Sequence, residues 1–181
     1  MGGGRPTAST PRINYASPGK AVRGGRSHGR SGLIYGRRMG TELRDVVGRL
    51  VTWLNRLIAL IAGWLLGDGS VKLSDVVDGH GSRQWWTPDL PPGTALRQDV
   101  SVLVGPGTFS SGEALAYHLQ ARGRVTVVGE ATPGAADHVL PVRLAPTVLA
   151  HVPHAYVVDA VTGRNWEGVG VIPDSGPACD A

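Results

Sequence analysis

Ser101-Val102-Leu103-Val104-Gly105, then Thr108-Phe109-Ser110-Ser111-Gly112-Glu113, then Arg124-Val125-Thr126-Val127-Val128-Gly129 is the stretch whose reading decides the fold. Its first and last blocks are short apolar runs closed by glycine, the pattern of strands covered on both faces. Between them, Ser110 to Arg122 reads as a helix. Strand, helix and strand in that order form a βαβ unit, and its crossover sets the two strands parallel. The expectation is an α/β fold with a mostly parallel sheet and packed helices.

Ser110 stands where the first strand turns into the helix. Backbone N–H groups at a helix start lack internal partners, and the helix dipole is positive there. A nucleophilic hydroxyl and the oxyanion it generates are well stabilised at such a place. The same letters also spell a capping box, Ser110-x-x-Glu113, in which the serine serves only the first turn of the helix. Both readings stand on the local pattern.

Charge divides the chain in two. Residues 1–40 carry eight Arg or Lys and no acid, whereas residues 41–181 carry ten basic and fourteen acidic side chains. The net charge of +4 therefore belongs to a tail, and the remainder is mildly acidic. That tail is rich in Gly, Arg, Ser and Pro without periodicity, so it is read as a disordered segment over 1–40. Its few aromatics offer little for bases to stack on, and no specific nucleic-acid partner is expected. At 181 residues the chain holds one domain with a real core. Cys179 is the sole cysteine and forms no internal disulfide. His28, His80, His118, His138, His151 and His154 are scattered without ligand spacing, so neither a metal nor another cofactor is expected. Met1 to Arg12 has no apolar core and is not a secretory signal, so the compartment stays unassigned.

From Thr41 to Leu66 apolar residues recur every three or four positions, through Leu43, Val47, Leu50, Leu54, Leu57, Ile61 and Trp64. That is an amphipathic helix. Its uninterrupted apolar run, Leu57 to Gly67, is too short to cross a bilayer, so a packed helix is expected and no membrane span, with a membrane-surface helix as the other reading. Gly67-Asp68-Gly69-Ser70 ends it. Val71-Lys72-Leu73 reads as a strand and Ser74 to Gly93 as a loop, where Trp85-Trp86 plugs the core or offers a contact surface. Val139 to Leu144, Val148 to Val152 and Ala155 to Val158 read as short strands before a glycine-punctuated turn.

Several segments together, across roughly residues 57–175, resemble one family. They are Gly107-Thr108-Phe109-Ser110-Ser111-Gly112-Glu113 with its helix, Arg124 to Gly134, and Thr162 to Asp174 with its Trp166-Glu167-Gly168 turn. The order is that of the tail-specific (C-terminal processing) serine proteases, in the branch that holds interphotoreceptor retinoid-binding protein repeats and the tricorn core. The resemblance implies a crotonase/ClpP-like core. It makes Ser110 the nucleophile and gives Ser111 N–H to the oxyanion. Many members activate the serine with a lysine in a Thr-x-Gly-Lys run, but here that run is Thr132-Pro133-Gly134-Ala135. The departure points to the tricorn-like arrangement, a histidine from upstream supported by an acid near Trp-Glu-Gly, carried here by Glu167. The other reading of Glu167 is a turn carboxylate that holds its loop through backbone N–H groups.

The family's Asp-Leu-Arg strand and glycine-rich loop have no counterpart, because arginine-glycine sequence stands in their place. The expectation is a domain over 41–181 that is the C-terminal part of a tail-specific protease, incomplete at its N-terminus through truncation or a shifted frame. Its function would be a serine-type endopeptidase, inactive as this fragment if the missing parts are required. The alternative is a catalytically silent relative that binds hydrophobic ligands or peptides. A peptide or protein is the expected partner, and exposed sheet edges would allow oligomers.

Overall fold

In the computed structural model, residues 31–176 are described, with side chains from residue 45 onward. The elements in chain order are α1 (Ser31–Leu66), β1 (Lys72–Asp78), β2 (Gly81–Trp86), β3 (Ser101–Val104), α2 (Ser111–Gln120), β4 (Thr126–Gly129), β5 (His138–Ala145) and β6 (Val148–Asp159). Helix α1 begins at Ser31 rather than Thr41. The expected disorder of the basic tail falls, over 1–30, outside the described residues.

The expected mostly parallel sheet is overturned. Four strands form an antiparallel sheet in the order β2-β1-β6-β5, and only β3 and β4 run parallel, as a separate pair. With it falls the expectation of a crotonase/ClpP-like core. The βαβ unit itself is present, since β3, α2 and β4 run from Ser101↔Thr126 to Val104↔Gly129 in register. Among the described residues its further parallel pairing is an isolated bridge between Val128 and Ser175, and Leu103 on β3 is 79% exposed.

Connection length explains the outcome. β1 meets β2 across Gly79-His80, and β5 meets β6 across Pro146-Thr147. Two residues can close only an antiparallel hairpin, because a parallel pair needs a crossover of a dozen residues or more. The first hairpin lies inside the expected 74–93 loop, since polar Ser74, Asp75, Ser82, Arg83 and Gln84 conceal its strands. Its turn is fastened by Asp78, whose Oδ1 accepts the His80 N–H at 2.8 Å. The expected breaks in β6 do not occur either. Pro153 is tolerated because β1 pairs with β6 only over Ala155–Asp159, which leaves that edge open at Pro153.

The core lies between α2 and the two sheets. Ala114, Ala116 and Leu119 of α2 meet Ile58, Ala59 and Ala62 of α1, Leu73, Trp85 and Val157 of the antiparallel sheet, and Val104 and Val127 of the parallel pair. Trp85 is a core plug, and Trp86 lies half-buried beside Gln84. Helix α2 is thus gripped from several sides, which fixes where its first turn points.

Candidate active site

Ser110 is the N-cap of α2, with φ 50° and ψ −107°. Among the described residues it is the only non-glycine with positive φ. Such a conformation costs a non-glycine residue on the order of 1–3 kcal/mol and persists only where surroundings enforce it. The enforcing contact is Glu113, whose Oε2 accepts the Ser110 N–H at 2.7 Å as in a capping box, while the Ser110 hydroxyl makes no cap hydrogen bond in return. The turn before it is closed by Thr108, which receives the Gly105 N–H on Oγ1 at 3.1 Å. Ser110 is exposed, and Ser111 opens the helix, so its N–H lies outside the helical ladder.

Glu113 reaches well beyond its cap. It is fully buried, and Oε1 accepts from Thr132 Oγ1 at 2.6 Å and from Gly134 N–H at 2.7 Å. Its Oε2 takes the Ala135 N–H at 2.9 Å as well as that of Ser110. One carboxylate therefore ties the serine turn to the Thr132-Pro133-Gly134-Ala135 loop. A buried carboxylate needs this many donors to offset its lost hydration.

The Trp166–Val171 turn closes the assembly from behind. Thr132 Oγ1 accepts the Val171 N–H at 2.8 Å, Gly134 O accepts the Gly168 N–H at 2.9 Å, and Trp166 Nε1 donates to Ala135 O at 3.2 Å. Gly134 has φ +90°, and a Cβ there would stand 2.7 Å from the Gly170 nitrogen, so the approach admits glycine alone. Three motifs distant in sequence are thus one contiguous cluster. The structure brings Ser110, Ser111 and position 135 together.

Glu167 belongs to the same turn and faces another group of atoms. Its Oε2 accepts the N–H groups of Ala136 at 2.7 Å and Asp137 at 2.9 Å. Burial raises the pKa of Asp137, and the nearby Glu167 carboxylate adds to the rise. Among the described residues no histidine is hydrogen-bonded to Ser110 or Glu167. His80 sits exposed in the β1–β2 turn, and His28 lies outside the described residues.

Sequence reasoning missed a buried group beneath the site. His118 is fully buried on α2, and its Nδ1 donates to Asp159 Oδ2 at 2.8 Å. Arg122 Nη1 reaches the same oxygen at 2.9 Å, while Nη2 donates to Lys72 O and Leu73 O. Asp159 Oδ1 takes the N–H groups of Val161 and Thr162. Burial alone would raise the Asp159 pKa, but His118, Thr162, Arg122 and Val161 together hold it far below the usual carboxylate range. Burial pushes the His118 pKa down, and hydrogen bonding to Asp159 opposes this only in part. Trp85 and Trp166 stand edge-on to its ring at 5.4 and 5.6 Å. The available signal was spacing, as His118 lies four residues after Ala114 on the core face and four before Arg122.

The sequence model of peptidase family S41 matches residues 60–176. Among solved structures, a photosystem II D1 C-terminal processing protease shares 26% identity at a TM-score of 0.50, covering 64% of this chain and 29% of its own. A putative peptidase from Parabacteroides merdae shares 16% identity at a TM-score of 0.52, covering 69% of this chain and 40% of its own. The chain thus spans less than half the length of either. The family match bears on the family, not on a branch within it.

Proposed function

The chain belongs to peptidase family S41, and from that premise we propose that it is a serine-type peptidase acting on peptide or protein substrates through an acyl-enzyme on Ser110. The observation that carries the reading is the backbone of Ser110, an exposed hydroxyl residue held at positive φ on the start of a helix. Structural capping asks for no such conformation, because ordinary N-caps take extended backbone angles. A nucleophile turn does ask for it, since it lifts the side chain clear of its own chain.

In the reaction, Ser110 Oγ attacks the substrate carbonyl and its proton passes to a base. The carbonyl oxygen becomes an oxyanion, which the Ser111 N–H receives at the positive end of α2. Collapse expels the amine, and water then cleaves the ester. Glu113 enters as the residue that positions the turn. Of the two readings of Glu167, its bonds to Ala136 and Asp137 favour the carboxylate that holds a loop.

A second reading rests on Ala135, which stands where many relatives place the activating lysine. It is a silent relative that binds peptides without cleaving them. A fluorophosphonate probe separates the two. Labelling of the chain that disappears in Ser110→Ala supports the peptidase; no labelling, or equal labelling of both proteins, leaves the silent binder.

A further inference from the structure

Helix α1 presents two apolar faces, and the fold uses one. Ile58, Ala59 and Ala62 lie in the core, where α1 packs against α2. Val46, Leu50, Trp53, Leu57 and Trp64 are exposed, Trp53 by 58% and Trp64 by 44%. At about 100° per residue these five fall within roughly 40° of one line along the helix, with Ile58 and Ala62 some 120–160° away. The stripe is about 27 Å long at 1.5 Å per residue. Single exposed apolar side chains are ordinary, but a contiguous stripe of them marks a surface meant to be covered.

Charge identifies the cover. Exposed Arg49 lies on the flank of the stripe, about 60° round the helix from Val46. Residues 1–40, which run into the first turns of α1, carry eight basic residues and no acid. A second copy of the chain would bring the same basic residues of 1–40 near one another. An anionic lipid surface instead attracts each nearby Lys or Arg by about 1 kcal/mol. Trp53 and Trp64 suit that surface as well, because indole rings settle at headgroup depth.

We propose that this face of α1 docks on an anionic lipid bilayer, with the helix lying in the interface. The stretch Asp45–Leu66 is long and apolar enough to cross a membrane by length and composition. Its inner face is nevertheless committed to the core, so it lies on the bilayer and does not span it. The proposal is independent of the chemistry at Ser110, since none of the stripe residues belongs to that site.

The test is flotation of the full chain with vesicles of phosphatidylcholine alone or with a third phosphatidylglycerol, at low and high salt. The expected result is binding at least about tenfold stronger to the anionic vesicles, weakened by salt, with tryptophan emission shifted to the blue. Leu50→Glu/Leu57→Glu should lose that binding by about tenfold or more while keeping its circular dichroism, because both positions are exposed. Anionic binding that survives this double substitution would assign attraction to the tail alone and overturn the docking face. So would absence of vesicle binding, or a dimer in sedimentation equilibrium that the double substitution dissolves.

Discussion

Ser110 and Ala135 donate their backbone N–H groups to one oxygen, Glu113 Oε2, at 2.7 and 2.9 Å. Residues twenty-five positions apart in the chain thereby become neighbours across a single atom. The resemblance would put an activating lysine at position 135, where Glu113 holds the backbone beside the serine turn. Ala135→Lys should therefore raise the rate of fluorophosphonate labelling at Ser110, by about 10²-fold if the amine acts as a general base. The gain should grow with pH as the lysine deprotonates. A rate unchanged from wild type at all pH values would show that position 135 does not address the serine.

Removing the strain at Ser110 should separate stability from chemistry. Glycine adopts φ 50° without steric cost and is nearly as good an N-cap as serine. Ser110→Gly should thus match or exceed wild-type stability, by up to about 1 kcal/mol, while probe labelling is lost. Ser110→Ala should lose labelling too and stay within about 0.5 kcal/mol of wild type, because the hydroxyl makes no cap hydrogen bond and the strain remains. Chemical denaturation of the three proteins compares them directly. A Ser110→Gly protein much less stable than Ser110→Ala would contradict the strained turn.

Glu113 should be among the least replaceable side chains. Its loss orphans the Thr132 hydroxyl and the N–H groups of Ser110, Gly134 and Ala135. Each orphaned buried group costs about 1–3 kcal/mol. Glu113→Gln keeps the shape but turns one acceptor oxygen into a donor, so it should be destabilised by at least about 2 kcal/mol, with labelling reduced alongside. Urea midpoints measured against wild type check it, and a change below experimental error would remove Glu113 from its central place.

Acid should loosen α2 through His118. Its folded pKa lies below its ordinary value near about 6.5, so the unfolded chain takes up the proton first. The neutral ring therefore contributes stability in full above about pH 6.5, and that contribution falls as pH drops toward the folded pKa. Asp159 acts further down. Its pKa is also depressed, so its contribution is present above about pH 4 and disappears as pH falls through the folded value. Stability measured by urea between pH 7.5 and 5 should fall by up to about 1.4 kcal/mol per pH unit from His118, and His118→Gln should flatten that slope. A variant with the wild-type slope would place the titration elsewhere. Asp159→Asn, which keeps an acceptor for the two loop N–H groups but removes the charge opposite Arg122 and turns an amide donor toward His118 and Arg122, should lose about 3–5 kcal/mol at neutral pH.

Local pattern carried the reading where neighbours in sequence are neighbours in space. Apolar runs bounded by glycine placed β3 and β4, the three-four spacing placed most of α1, and Ser110-x-x-Glu113 placed the start of α2 with its cap. The same letters in the same order marked Ser110 as the residue of interest. They failed where polar strands pair with each other. Ser74, Asp75 and Gln84 look like loop until register sets β1 against β2, so the Gly79-His80 connection that forces antiparallel pairing was hidden within that loop, and the short link between β5 and β6 carried no weight beside one βαβ unit.

What the sequence by itself determined is the helices and the apolar strands of the βαβ unit, the turn that bears Ser110 and the family the chain belongs to, because these depend on spacing along the chain. What only the tertiary structure decided is how the elements pair and what each carboxylate holds. Glu113 reads as a cap from its own helix, yet it joins residues 110 and 135. Glu167 meets backbone N–H groups across a turn, and Asp159 meets His118 and Arg122 across the core. Burial makes each of these bonds necessary, and burial is a property of the folded chain, not of any stretch within it.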